Sequence, residues 1–139
     1  MKKITLLLFV LFFCQYQSSF SQNGNEVAVI KDTVPFLKPE TLPQFPGGNE
    51  KLAEFISSNL IYPQKALKKG NVGTSYISFI IKKSGEVTNV KTQKGIPSCA
   101  SCDEEAMRVV KLMPNWTPGK QQGKEVDVQY VLPIKFSLK

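Results

Sequence analysis

The C-terminal segment, residues 126–139, alternates apolar residues with mostly polar ones. The apolar positions are Val126, Val128, Tyr130, Leu132, Ile134, Phe136 and Leu138. A period of two is typical of a β-strand with one buried face and one solvated face. Pro133 has no N–H group, which confines such a strand to a sheet edge or a bulge. The pattern therefore predicts a long edge strand that can accept a partner strand.

Helical spacing precedes this strand in two segments. An apolar stripe recurs at helical spacing after a candidate N-cap at Asn49. The members of this stripe are Leu52, Phe55, Ile56 and Leu60. Tyr62-Pro63 ends the helix, since the residue before proline is disfavoured in the α region. Pro63 then opens a second short helix that reaches Lys69, with Gly70 just past its end.

A hairpin and a third helix fill the middle of the chain. Residues 73–83 and 87–94 read as two strands joined by the turn signal Ser84-Gly85. In the first strand, Ile77, Phe79 and Ile81 share one face and Tyr76, Ser78 and Ile80 share the other. A capping-box spacing at Ser101 and Glu104 starts the third helix, which Pro114 ends. Its apolar stripe is Ala106, Val109, Val110 and Met113.

The element order is α, α, β, β, α, β, with turn residues at 116–123 leading into the last strand. This order predicts an α+β fold, in which a three-stranded antiparallel sheet carries two to three helices on one face. We place this domain at residues 42–139 and interpret residues 22–41 as a linker or a loosely docked arm.

Residues 1–21 have the features of a secretory signal peptide. Two lysines precede an apolar run of ten residues, and a small-x-small cleavage motif ends at Ser21. The run is shorter than the roughly 18–20 residues that a membrane-spanning helix needs. We therefore expect an exported protein without a stable transmembrane anchor, located in the periplasm or at the cell-envelope surface.

Charge and histidine content exclude several classes of function. The formal charge is +7, but the lysines are scattered, and Arg108 is the only arginine. Nucleic-acid-binding proteins usually cluster arginines and aromatics on one face, so we expect no nucleic-acid partner. The chain has no histidine, which excludes a Ser-His-Asp triad. We predict no catalytic residue, no metal site and no cofactor.

Cys99 and Cys102 allow two interpretations. A CxxC pair at a helix start can exchange disulfides, which would make the protein a periplasmic thiol–disulfide enzyme. The pair can also form a structural disulfide that constrains the loop before the third helix. We favour this interpretation because no thioredoxin-type βαβ pattern surrounds the two cysteines. Asp103, Glu104 and Glu105 follow in the first helical turn, where acidic residues meet the helix dipole favourably.

The order and spacing of short motifs over residues 62–138 resemble the C-terminal domain of the TonB family. The resemblance also extends to the Pro46-Gly47-Gly48 lead-in and the first helix. The residues that carry it are Tyr62-Pro63, Ala66, Gly70, Gly73, Phe79, Gly85, Val87, Val90, Glu105-Ala106, Pro118-Gly119 and Phe136.

The resemblance implies a non-enzymatic binding module with two helices on a three-stranded antiparallel sheet. Its partner would be an extended segment of an outer-membrane TonB-dependent transporter, or of another envelope protein, that adds as a strand to the last strand. The contact residues would be Tyr62, Pro63, Val126, Val128, Gln129, Tyr130, Val131, Leu132, Ile134 and Phe136. A structural role, in which the last strand pairs with a second copy to form a homodimer, is a further alternative.

Overall fold

The computed structural model describes residue 35 and residues 38–139. The elements are α1 (Gly48–Asn59), α2 (Gln64–Lys69), β1 (Gly73–Ile81), β2 (Val87–Lys94), α3 (Ala100–Lys111), β3 (Gly119–Gln121), β4 (Lys124–Val126) and β5 (Val128–Phe136). The predicted signal peptide and most of the predicted linker lie outside the described residues. In the part of the chain that is described, no helix is both long and apolar enough to cross a membrane.

The fold is the predicted α+β arrangement around a three-stranded antiparallel sheet of order β2-β1-β5. β1 lies in the centre, so it pairs with both neighbours. Its inner-face residues Ile77, Phe79 and Ile81 are fully buried, as the alternation predicts. They belong to one core cluster that also contains Leu52 of α1, Ala66 of α2, and Ala106 and Val110 of α3.

The predicted final strand is shorter in the structure, and a separate small sheet precedes it. β5 begins at Val128 because Asp127 leaves the extended ladder and accepts a hydrogen bond from the Lys83 N–H at 2.8 Å. Val126 instead ends β4, opposite Gly119 of β3. Leu138 lies beyond the strand and is exposed, so its predicted burial is wrong. β3 and β4 have three residues each, too few for an alternation to predict them.

Two predicted helix caps are also wrong. Gly47, in a left-handed conformation, precedes α1, so Asn49 lies inside the helix. Cys99 precedes α3 and Ser101 is helical, which excludes the capping box. At the end of α2, Gly70 adopts the left-handed conformation expected of a helix-ending glycine.

The segment before α1 packs on the β3 side of the domain. Thr41 and Lys120 exchange backbone hydrogen bonds of 3.0 and 2.9 Å, and Gln44 and Thr117 exchange bonds of 3.0 and 2.8 Å. Phe45 meets Trp116 edge to face at a ring distance of 5.6 Å. These contacts place residues 41–45 beside β3, which belongs to the small sheet and not to the sheet of β5.

The turn between β1 and β2 depends on a close backbone approach at Gly85. Gly85 has a φ of +89°, and its carbonyl oxygen accepts a hydrogen bond from the Trp116 N–H at 2.8 Å. A Cβ at this position would lie 2.1 Å from the Trp116 carbonyl oxygen. The turn therefore requires glycine both for its conformation and for its space.

We expect Gly85→Ala to destabilise the domain by about 3 kcal/mol or more, since left-handed strain adds to the backbone collision. Gly48→Ala is the matched control, because Gly48 has a φ of +85° and a methyl group there would meet only open space. Strain alone should cost this control about 1 kcal/mol. Urea denaturation measures both values, and equal losses would show that the approach to Trp116 is not a constraint.

Candidate functional site

One side of β5 is fully paired, and its other side has no strand partner among the described residues. β5 and β1 match residue for residue from Val128 opposite Ile81 to Phe136 opposite Gly73, without a register shift. Within residues 38–139, no strand pairs with the opposite side of β5. The predicted edge position of the last strand is therefore found in the described structure.

The sheet's other edge, β2, is less regular. Its pairing with β1 shifts register twice, between Tyr76 and Ile77 and between Ser78 and Ile80. Asn89 within β2 has a positive φ of 51°. Bulges of this kind twist an edge and hinder its pairing with another chain. β5 is consequently the edge that offers a regular ladder.

Pro133 fixes which backbone groups of β5 point outward. Residues of an antiparallel strand alternately direct both their N–H and C=O groups toward the partner or away from it. Pro133, opposite Tyr76 in an uninterrupted register, has no N–H to give to β1 and so occupies an outward position. Gln129, Val131 and Lys135 are each an even number of residues away from Pro133 along the strand. Their N–H and C=O groups therefore also point to the free edge.

The side chains of β5 divide as the alternation predicts. Val128, Leu132, Ile134 and Phe136 are buried in the core. Tyr130 is half-buried, with its ring 5.2 Å from Trp116 and 5.6 Å from Phe79. Gln129, Val131, Pro133 and Lys135 occupy the opposite face, where Val131 is 40 % exposed. A substitution at Val131 thus changes the free edge without removing a core side chain.

The outer face of the sheet is open and positively charged. Tyr76, Gln93, Lys94 and Val131 line a shallow groove of about 380 Å³ across the three strands. The sequences of β1, β2 and β5 contain three lysines, Lys91, Lys94 and Lys135, and no aspartate or glutamate. A chain that pairs with β5 would therefore meet a basic, partly apolar surface.

Tyr62 lies at the end of β5 on the core side. Its ring packs edge to face on Phe136 with the centroids 5.6 Å apart, and its hydroxyl donates to the Asn71 carbonyl oxygen. These contacts connect the α1–α2 junction to the last residue of the strand. Pro63 borders a separate depression of about 340 Å³. The predicted binding roles of Tyr62 and Pro63 stay predictions.

An ion pair on α3 fastens the α1–α2 junction. The Glu105 carboxylate accepts hydrogen bonds from Arg108 Nε at 2.8 Å and from the Ile61 N–H at 2.7 Å. Arg108 Nη2 also donates to the Asn59 carbonyl oxygen, 2.7 Å away, at the end of α1. The Arg108 hydrogen bond lowers the pKa of Glu105, although partial burial opposes this effect. From the sequence, Glu105 was predicted only to interact with the helix dipole. Its hydrogen bond with the distant Ile61 N–H was not predicted.

Asp103 connects α3 to the sheet. Its Oδ1 accepts hydrogen bonds from Ser75 Oγ at 2.8 Å and from the Ile96 N–H at 3.0 Å. Ser75 is completely buried in β1. A buried hydroxyl without a partner costs about 1–3 kcal/mol, so Asp103 satisfies a polar group that the core would otherwise exclude.

Cys99 and Cys102 form a disulfide at the start of α3. The two residues are 2 % and 0 % exposed and belong to the core cluster. A thiol–disulfide enzyme needs a sulfur that its substrate can reach. This burial favours the structural disulfide over the redox enzyme.

We expect Glu105→Gln to lower the free energy of unfolding by about 1 kcal/mol at pH 7, because the charged hydrogen bonds are weakened. The pKa of Glu105 is lower in the folded state than its ordinary value of 4.5, so its charged carboxylate stabilises the fold above pH 4.5. This stabilisation is lost as the pH falls through the folded-state pKa. The difference between wild type and variant should therefore vanish in acid. Glu104→Gln, on an exposed neighbouring residue, should change nothing. A pH-independent difference would contradict this account.

We expect Cys99→Ala/Cys102→Ala to lower the free energy of unfolding by about 2 kcal/mol, the value of a short loop closure. Thermal denaturation with and without a reductant measures the effect, and reduction should reproduce the loss in the wild type only. An insulin-reduction assay provides the opposing test, since turnover by the native protein would favour the redox enzyme.

The chain is similar to known proteins in sequence and in structure. The family model described as "Gram-negative bacterial TonB protein C-terminal" matches residues 58–138. A solution structure of Helicobacter pylori TonB-CTD is similar at 28% identity and a TM-score of 0.49, covering 65% of this chain and 79% of that chain. A shorter fragment of it is similar at 29% identity and a TM-score of 0.46, covering 65% and 92%. No curated protein matches the chain. The family model spans more than half of the sequence and contains every element from α2 to β5, so the chain belongs to the TonB C-terminal family.

Proposed function

We propose that this protein captures an extended peptide by strand addition to the free edge of β5. The partner is the TonB-box-like N-terminal segment of an outer-membrane transporter, and the activity serves TonB-dependent transport or its modulation. One observation carries the proposal: β5 is a regular nine-residue strand that is paired on one side only within the described residues. Such an edge is a ready template for a strand from another chain.

The free edge supplies enough backbone groups for a transient complex. Gln129, Val131 and Lys135 offer N–H donors, and these residues and Pro133 offer carbonyl acceptors. Four to six added hydrogen bonds at about 1 kcal/mol net each correspond to a dissociation constant between about 1 mM and about 40 μM. This strength suits a transient partner.

Selectivity would come from the side chains on both faces of β5. Visiting residues on the inner face lie next to Leu132 and Ile134, at the margin of the core, which favours apolar side chains. Those on the outer face lie next to Val131 and Lys135, which favours apolar and acidic side chains. An extended segment with both kinds of residue fits the edge better than a uniformly polar one.

The family sets the cellular setting of this proposal. TonB proteins belong to the Gram-negative cell envelope, and the sequence features of residues 1–21 agree with export to the periplasm. The described domain supplies a binding surface, and no part of the proposal requires it to be an enzyme. The thiol–disulfide alternative receives no support, because both cysteines are buried in the core.

We expect Val131→Pro to weaken peptide binding by about fivefold, since it removes one outward N–H donor worth about 1 kcal/mol. Val131→Thr is the matched control, because it keeps the N–H and the β-branched shape. Titration of a fluorescent peptide from a transporter N-terminus measures the dissociation constant for each variant.

Melting temperatures of both variants should stay close to that of the wild type, because the Val131 side chain is exposed. Equal peptide affinities for Val131→Pro and wild type would contradict binding at this edge. Equal loss in both variants would place the contact in the valine side chain and not in the backbone ladder.

A further inference from the structure

We infer that Pro133 makes the free edge of β5 reject a second copy of this chain while it still admits a strand from another protein. The claim that the edge admits a strand from another protein rests on the proposed function. The claim that it rejects a second copy of this chain does not. Pro133 would thus determine specificity because it lacks the backbone N–H that a pairing strand needs.

The edge needs such protection because it is suited to self-pairing. β5 is regular over nine residues. On the outer face of the sheet, Val131 of β5 is 40 % exposed and Tyr76 of the neighbouring β1 is 38 % exposed. Lys135 is the only charged residue of β5. Long, flat edges with exposed apolar residues pair with any available strand, including their own copy.

Pro133 interrupts the free edge at an outward position. Its backbone nitrogen carries ring carbon atoms toward the approaching strand in place of a hydrogen. The donors on either side of it, at Val131 and Lys135, remain intact. Pairing with β1 is unaffected, as the uninterrupted register shows.

Symmetry makes this interruption count twice in a homodimer. Two copies of β5 that extend one antiparallel sheet are related by a two-fold axis, so each residue of the interface occurs twice. If most of residues 129–135 pair in such a dimer, both copies of Pro133 lie in the ladder. The dimer then lacks two backbone N–H donors, one from each copy. A visiting strand without its own proline loses at most one.

The difference is large enough to decide the partner. One hydrogen bond of ordinary strength corresponds to about fivefold in affinity, and two correspond to about 25-fold. The proline therefore weakens self-association by about 25-fold and capture of another strand by about fivefold at most.

Charge acts in the same direction. A two-fold axis perpendicular to the sheet keeps both outer faces on one side, so the basic outer faces of the two copies lie side by side. Lys91 and Lys94 increase the positive charge of that face, and the three strands contain no acidic residue. This repulsion is screened by salt, whereas the effect of the proline is not.

The test is Pro133→Val, made in the chain without residues 1–21, the predicted signal peptide. Sedimentation equilibrium at high salt removes the lysine contribution and isolates the backbone effect. We expect the variant to dimerise about 25-fold more tightly than the wild type. Pro46→Val is the matched control, since Pro46 is an exposed proline in the turn before α1, and it should associate no more than the wild type.

Two further variants keep the result interpretable. Pro133→Ala tests the restored N–H without a strong β-forming side chain and should also dimerise. The double variant Val131→Pro/Pro133→Val returns a proline to the same edge and should be monomeric. Self-association of this double variant would place the contact on another surface and overturn the inference.

A Pro133→Val protein that is folded and as monomeric as the wild type would also overturn the inference. Titration with the transporter peptide separates the two proposals. Binding to Pro133→Val up to fivefold tighter than to wild type supports admission at this edge. Dimerisation of Pro133→Val without peptide binding to any variant would overturn the proposed function and leave self-rejection standing.

Discussion

The pairing of β1 with β5 is the constraint on which the other features depend. β1 lies between β2 and β5, and within residues 38–139 no strand pairs with the far side of β5, so β5 lies at an edge of the described sheet. The unbroken register buries Ile134 and Phe136 opposite Ser75 and Gly73, and it leaves Val131 on the outer face. A shift by one residue would exchange the two faces and expose the core side of the strand. The same register that builds the core therefore also determines which backbone groups face solvent.

Polar contacts hold the supporting elements against this pair of strands. Asp103 connects α3 to the buried hydroxyl of Ser75, and Glu105 holds the α1–α2 junction through the Ile61 N–H. Tyr62 carries this junction onto Phe136 at the end of β5. Together these contacts hold the elements that pack on the core side of the sheet. A strand that is already ordered before it binds loses little conformational entropy on binding, which favours capture despite the small number of hydrogen bonds.

Sequence patterns predicted the features that depend on periodicity and failed for those that depend on distant contacts. The alternation at Val128–Phe136 and the proline within it predicted both the buried face and the edge position. The short strands β3 and β4 were missed because three residues cannot show a period. Glu105 and Asp103 were assigned to the helix dipole, since their partners at Ile61 and Ser75 are far away in sequence. The outward direction of the Val131 N–H needed the register, which no local pattern contains.

Amide hydrogen exchange tests the central claim, that the outward N–H groups of β5 are free until a visiting strand binds them. Val131 and Lys135 should exchange rapidly in the isolated protein and slowly with saturating transporter peptide. Leu132 and Ile134, which donate toward β1, should exchange slowly in both states. Protection of Val131 and Lys135 without peptide, or rapid exchange that persists with peptide bound, would contradict strand addition at this edge.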